Sequence, residues 1–87
     1  MAQQPDNKPG AYYVSVRRSD GDYRFLLGPF VDDHGKALAQ VDAVRAKAEQ
    51  LDPKAVWYDF GTARIDIQPD RVPPAGILNP YFPEVMQ

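Results

Sequence analysis

Proline placement sets the limits of regular structure in this chain of 87 residues. Of its nine prolines, Pro5 and Pro9 fall in the first ten residues and five fall after Ile67. Proline removes an amide donor and fixes φ, so neither a helix nor a central strand survives that density after Ile67. Only Pro29 and Pro53 remain between, as punctuation. The expected organisation is therefore a disordered leader over 1–10, a single α+β domain over 11–67 and an extended Pro-rich tail over 68–87. The tail carries Ile77, Leu78, Tyr81 and Phe82, unlike a solvated linker, and these four are its expected contacts. A domain this small builds one modest core, and the tail or a partner is expected to help stabilise it.

Tyr12-Tyr13-Val14-Ser15-Val16-Arg17-Arg18 alternates in the manner of a strand, with Tyr12, Val14 and Val16 on one face. Asp20-Gly21 then signals a two-residue hairpin loop, because a type I′ turn needs positive φ at both central positions. With that loop Arg18 faces Tyr23, Arg17 faces Arg24, Val16 faces Phe25 and Val14 faces Leu27. Gly28-Pro29 is expected to end regular pairing. Asp32 or Asp33 can cap the next element, an alanine-rich helix from Lys36 to Leu51. Its apolar stripe runs through Ala37, Leu38, Val41, Val44, Ala48 and Leu51. Asp52-Pro53 stops it, since the residue before proline is pushed out of the α region. Ala55 to Phe60 reads as a third strand, and Gly61 as a bulge or bend. Thr62 to Ile67 either extends that strand or forms a fourth.

The expected architecture is thus a small antiparallel sheet, β-β-α-β, with one helix on one face. The opposite face carries Tyr13, Ser15, Arg17, Arg24 and Leu26, with either Trp57 and Asp59 or Val56, Tyr58 and Phe60 from the third strand. Three occupants suit this open face: the chain's own tail, a second copy in a sheet-on-sheet or edge-to-edge dimer, or another partner. Ala39, Ala43 and Ala46 add a small-residue stripe on the helix, a pattern that ordinary surface filling also produces.

The chemistry is mostly negative. Cysteine is absent, which removes disulfides, thiolate metal sites and cysteine nucleophiles. Ser15, Ser19, Thr62 and His34 have no nucleophile context, and the dispersed glycines form no phosphate loop. Asp32-Asp33-His34 are adjacent rather than spaced to aim ligands at one ion, so helix capping is the plainer reading. The expectation is a non-enzyme with no cofactor and no metal.

Ten Lys and Arg against twelve Asp and Glu give a net charge of -2, which argues against a general nucleic-acid coat. A local platform remains as an alternative, with Arg17, Arg18, Arg24 and Arg64 holding phosphates and Tyr13, Tyr23 and Trp57 stacking single-stranded bases. Asn79-Pro80-Tyr81-Phe82 looks like a short docking motif, although Asn-Pro also initiates turns alone. No apolar run approaches the roughly 20 residues of a membrane span, and Met1–Gly10 is polar, so a cytoplasmic location is expected.

Two resemblances arise from these motifs. Arg24 to Leu51, with Gly28-Pro29-Phe30 before an alanine-rich helix, resembles the strand–GPF–helix half of the peptidoglycan-binding SPOR domain, without that family's first helix. The pattern from Tyr12 to Ile67, including Leu27-Gly28-Pro29-Phe30 and Phe60-Gly61-Thr62-Ala63-Arg64, resembles small proteins of unknown function encoded by proteobacterial phages and mobile elements. That second likeness implies binding to a host or phage macromolecule. The functional expectation is a small binding protein that recognises a protein partner, or itself as a homodimer, through the helix-free sheet face. Tyr13, Arg17, Arg24, Leu26, Trp57 and Arg64 are its candidate residues.

Overall fold

A computed structural model describes residues 5–86; the first four residues of the expected leader and Gln87 of the tail lie outside the described residues. Strands β1 (Ala11–Arg17), β2 (Tyr23–Val31) and β3 (Asp59–Ile65) form an antiparallel sheet in the order β2-β1-β3. Helices α1 (His34–Ala39) and α2 (Val41–Leu51) follow β2, and a 3-10 helix, Pro53–Trp57, leads into β3. Tyr12, Val14, Val16, Leu26, Leu27, Phe30, Ala37 and Val44 make the core between helices and sheet.

The β1–β2 hairpin forms with the expected Val14–Leu27 pair, but its turn and the register between that pair and the turn differ from those the sequence suggests. Its loop is three residues, Ser19-Asp20-Gly21, closed by Arg18 N–H to Asp22 O at 2.8 Å and Gly21 N–H to Arg18 O at 2.9 Å. Only Gly21 takes positive φ, at 86°, as in a type I turn followed by a left-handed residue. Arg17 therefore faces Tyr23, Val16 faces Arg24 and Ser15 faces Phe25. Leu26 is an extra residue between that stretch and the Val14–Leu27 pair, so the register shifts there.

The bulge reverses the expected faces of Arg24, Phe25 and Leu26, while Leu27 keeps its expected place in the core. Leu26 and Leu27 both turn into the core and Arg24 turns to the helix side, while Phe25 stacks on Tyr13 behind the sheet, centroids 4.4 Å apart. The register shifts again between the Val14–Leu27 and Tyr12–Phe30 pairs, and β2 continues to pair through Phe30 and Val31 rather than ending at Gly28-Pro29. Gly28 is required at this point: its φ is 143°, and an added Cβ would lie 2.7 Å from both Tyr12 O and Tyr13 Cδ2.

The helical segment starts earlier than its alanine content suggests and is interrupted. Asp33 caps α1 by accepting from Lys36 N–H at 3.0 Å, and Gln40 separates α1 from α2. Leu51, expected in the core, is half exposed. Asp52 is extended before Pro53, as required, but its carboxylate accepts from Lys54 N–H and starts the 3-10 helix. Val56 and Trp57, expected in a strand, belong to that turn. β3 starts at Asp59 and pairs with β1 through Gly61 to Ile65 in one register, so Gly61 marks no break and Thr62 to Ile65 form no separate fourth strand.

After Ile67 the chain turns back along the sheet. The Tyr13 hydroxyl donates to Pro74 O at 2.7 Å on the helix-free side. Ile77 N–H and Leu78 N–H then donate to Phe25 O and Leu26 O at 3.1 and 2.7 Å, along the outer edge of β2. The Asn79 side chain brackets Gly28, accepting from its N–H and donating to its carbonyl. Leu78 enters the core, and Phe82, Val85 and Met86 pack against it. We refer to Pro74–Asn79 as the strap.

Candidate functional site

The helix-free face is not the binding platform that alternation suggests. Tyr13 lies on it but is fully buried beneath the strap and beside Phe25. Arg17 is exposed there, its guanidinium 5.9 Å from the Tyr23 ring and opposite Asp59 in the register. The other four candidates lie elsewhere. Leu26 is in the core and Arg24 is on the helix side, both because of the bulge. Trp57 sits in the 3-10 helix beside the hairpin tip. Arg64 faces Tyr12 near the far end of β3, donating to Pro9 O and pairing with Asp66. The six residues do not form one site.

What the fold does assemble is an apolar cleft of about 220 Å³ at the hairpin end of the helix side. Val16, Leu26 and Leu78 line its sheet and strap side, Ala48 and Leu51 come from α2, and Ile77 and Tyr58 complete the walls. Arg18, Arg24 and Asp52 also border it. Arg18 and Tyr58 are shared with a second hollow against Trp57, and the Arg18 guanidinium lies 5.8 Å from the centre of the Tyr58 ring. Leu51 is 50% exposed, Ile77 56% and Trp57 78%. Arg18 and Tyr58 thus link the exposed aliphatics of the cleft to the exposed tryptophan of the adjoining hollow.

Three carboxylates, Asp20, Asp22 and Asp52, stand among the arginines of this end. Asp22 meets Arg24 at 2.9 Å and Arg18 at 3.5 Å, so two guanidinium groups share one negative charge. Asp52 is engaged by the Tyr58 hydroxyl at 3.0 Å. Asp20 also lies in the hollow beside Arg18, so this end carries cations and carboxylates side by side. Of the cleft residues, sequence reasoning singled out Arg24 and Leu26 on the wrong face, and Ile77 and Leu78 as tail contacts. It missed Arg18, Leu51 and Tyr58 as one group, because their union depends on the bulge and on the 3-10 turn.

The Asp32-Asp33-His34 cluster has structural tasks. Asp32, with φ at 55°, accepts from Gly10 N–H at 2.8 Å, and Asp33 caps α1. His34 is buried and stacked on Tyr12 at 4.8 Å, with Nδ1 accepting from Asp6 N–H and Nε2 2.8 Å from Thr62 Oγ1. Since Nδ1 is the acceptor, Nε2 carries the proton. The cluster holds residues 6–10 to the domain, and among the described residues no three His, Asp or Glu side chains converge as metal ligands.

The chain matches no family model, no curated protein and no solved structure. Among the described residues no helix is long and apolar enough to cross a membrane.

Proposed function

We propose that this chain is a non-enzymatic binding protein that recognises a protein partner through the hairpin-end cleft and the adjoining Trp57. The observation that carries this reading is the exposure of Leu51 and Ile77 in a cleft that shares Arg18 and Tyr58 with the hollow of the exposed Trp57. An apolar side chain of the partner would fill the cleft, and polar groups around it would meet the partly exposed Arg18 and Arg24 at its rim. Trp and Arg at the rim of an apolar pocket are the residue types that dominate interface energies. The surface expected from the sequence, the helix-free face, is replaced here because its central residue, Tyr13, is covered.

The test compares partner capture by the wild-type chain, Leu51→Asp, Trp57→Ala and Arg64→Ala in extracts of the native host. One protein should be retained by wild type and Arg64→Ala, and lost by both cleft variants. Equal retention by all four removes the cleft from the proposal. Single-stranded nucleic acid fits the site less well, because Tyr13 cannot stack bases and Arg64 is remote from the hairpin arginines. Salt-sensitive binding of an oligonucleotide that depends on Arg18 and Arg24 would favour that alternative.

A further inference from the structure

The two edges of the sheet are treated differently by the fold. Along β2 the strap supplies backbone donors to Phe25, Leu26 and Gly28, which closes that edge. Along β3 no described residue hydrogen-bonds to the outer side of the backbone. Natural sheets blunt an open edge with proline, lysine, a bulge or an inward charge. β3 has no proline and no lysine, runs without a register shift, and is charged only at Asp59 and Arg64.

We propose that β3 pairs with β3 of a second copy of this chain, antiparallel about a twofold axis at Thr62, to give one six-stranded sheet. The strand is self-complementary in this register. Thr62 is the middle residue of Asp59–Ile65, so this register pairs the whole strand: Thr62 with Thr62, Gly61 with Ala63, Phe60 with Arg64 and Asp59 with Ile65. No like charges face one another, the threonine pair is favourable, and each Arg64 lies across from a phenylalanine ring. An axis at Gly61 or Ala63 leaves residues at one end of each strand unpaired. Because paired residues share a face, both helix layers fall on the same side of the joined sheet. This edge meets the hairpin-end cleft at Phe60, but Gly61 and Ala63, which carry the test below, do not line the cleft.

The test uses the full chain in analytical ultracentrifugation over a concentration series, with circular dichroism to confirm folding. Wild type should sediment as a dimer that dissociates on dilution. Gly61→Lys with Ala63→Lys sets two like-charge pairs across the proposed ladder on the helix-free side, and should weaken dimerisation about tenfold or more. The corresponding Gly61→Glu, Ala63→Glu chain should be weakened alone, yet form a heterodimer when mixed with the lysine variant. Hydrogen exchange on the wild type should lose protection at 59–65 on dilution, a readout that needs no variant. A monomer at all concentrations overturns the proposal. So does a dimer indifferent to these charges, or one whose diluted form keeps protection at 59–65.

Discussion

The hydroxyl of Tyr13 donates to the carbonyl of Pro74 at 2.7 Å, joining the central strand to the strap across 61 residues of chain. Its neighbour Tyr12, pointing to the opposite face, donates to Lys8 O at 2.6 Å. Two adjacent tyrosines thus fasten segments from opposite ends of the described chain to β1. Tyr13→Phe keeps the ring stack on Phe25 and removes only the fastening. It should cost about 0.5–1.5 kcal/mol, seen in a denaturation midpoint. Exchange protection should fall at Ile77 and Leu78 more than at β3.

The same pair sets an alkaline limit. Burial raises the pKa of both phenols above the ordinary tyrosine value, and nearby Asp6 adds to the effect at Tyr12. The folded state therefore keeps these protons when the unfolded chain has begun to lose them. Stability from this source is complete below about pH 10, the unfolded tyrosine value, and declines as pH rises through the raised folded values. A Tyr12→Phe, Tyr13→Phe chain should be less stable near neutrality but show a flatter decline above pH 10 in thermal melts.

Leu78 tests whether the strap stabilises the domain. Its side chain is 6% exposed and packs with Leu26 in the core. Leu78→Ala should cost roughly 2–5 kcal/mol, the usual range for a buried leucine truncation. A change near zero in thermal or urea unfolding would mean that the strap contributes little to the folded state.

Two glycines should respond in opposite ways to alanine. Gly28→Ala meets both an unfavourable φ and backbone and ring atoms at 2.7 Å, and should unfold the chain or cost more than about 3 kcal/mol. Gly61 has no such conformation, and an added Cβ meets nothing within 4 Å. Gly61→Ala should leave the midpoint unchanged or raise it by up to about 0.5–1 kcal/mol.

The sequence made the hairpin legible through Asp20-Gly21 and the helix stop through Asp52-Pro53, since both act through local backbone sterics. It did not reveal which face each β2 side chain occupies. Strand alternation has period two, so the single extra residue at Leu26 reversed Arg24 and Phe25 without altering composition. The Pro53–Trp57 turn was hidden by strand-favouring Val56 and Trp57, although Asp52 followed by proline is also a capped start. The cleft was illegible for the same two reasons: its arginines, Leu26 and Tyr58 converge only once the bulge and the turn are in place. The strap's apolar residues were visible, but their register on β2 depends on long-range backbone hydrogen bonds that no local pattern encodes.

Between Ile67 and Pro74 the chain is exposed, with Val72 91% open and a turn closed by Arg71 N–H to Gln68 O at 3.2 Å. The strap beyond it is seated by its own backbone bonds, the Asn79 bracket and Leu78. Continuity of the peptide at Arg71 is therefore not what holds the pieces together. A protease cut there should leave the strap peptide bound to the rest of the fold, seen as co-elution of the two fragments in gel filtration under native conditions.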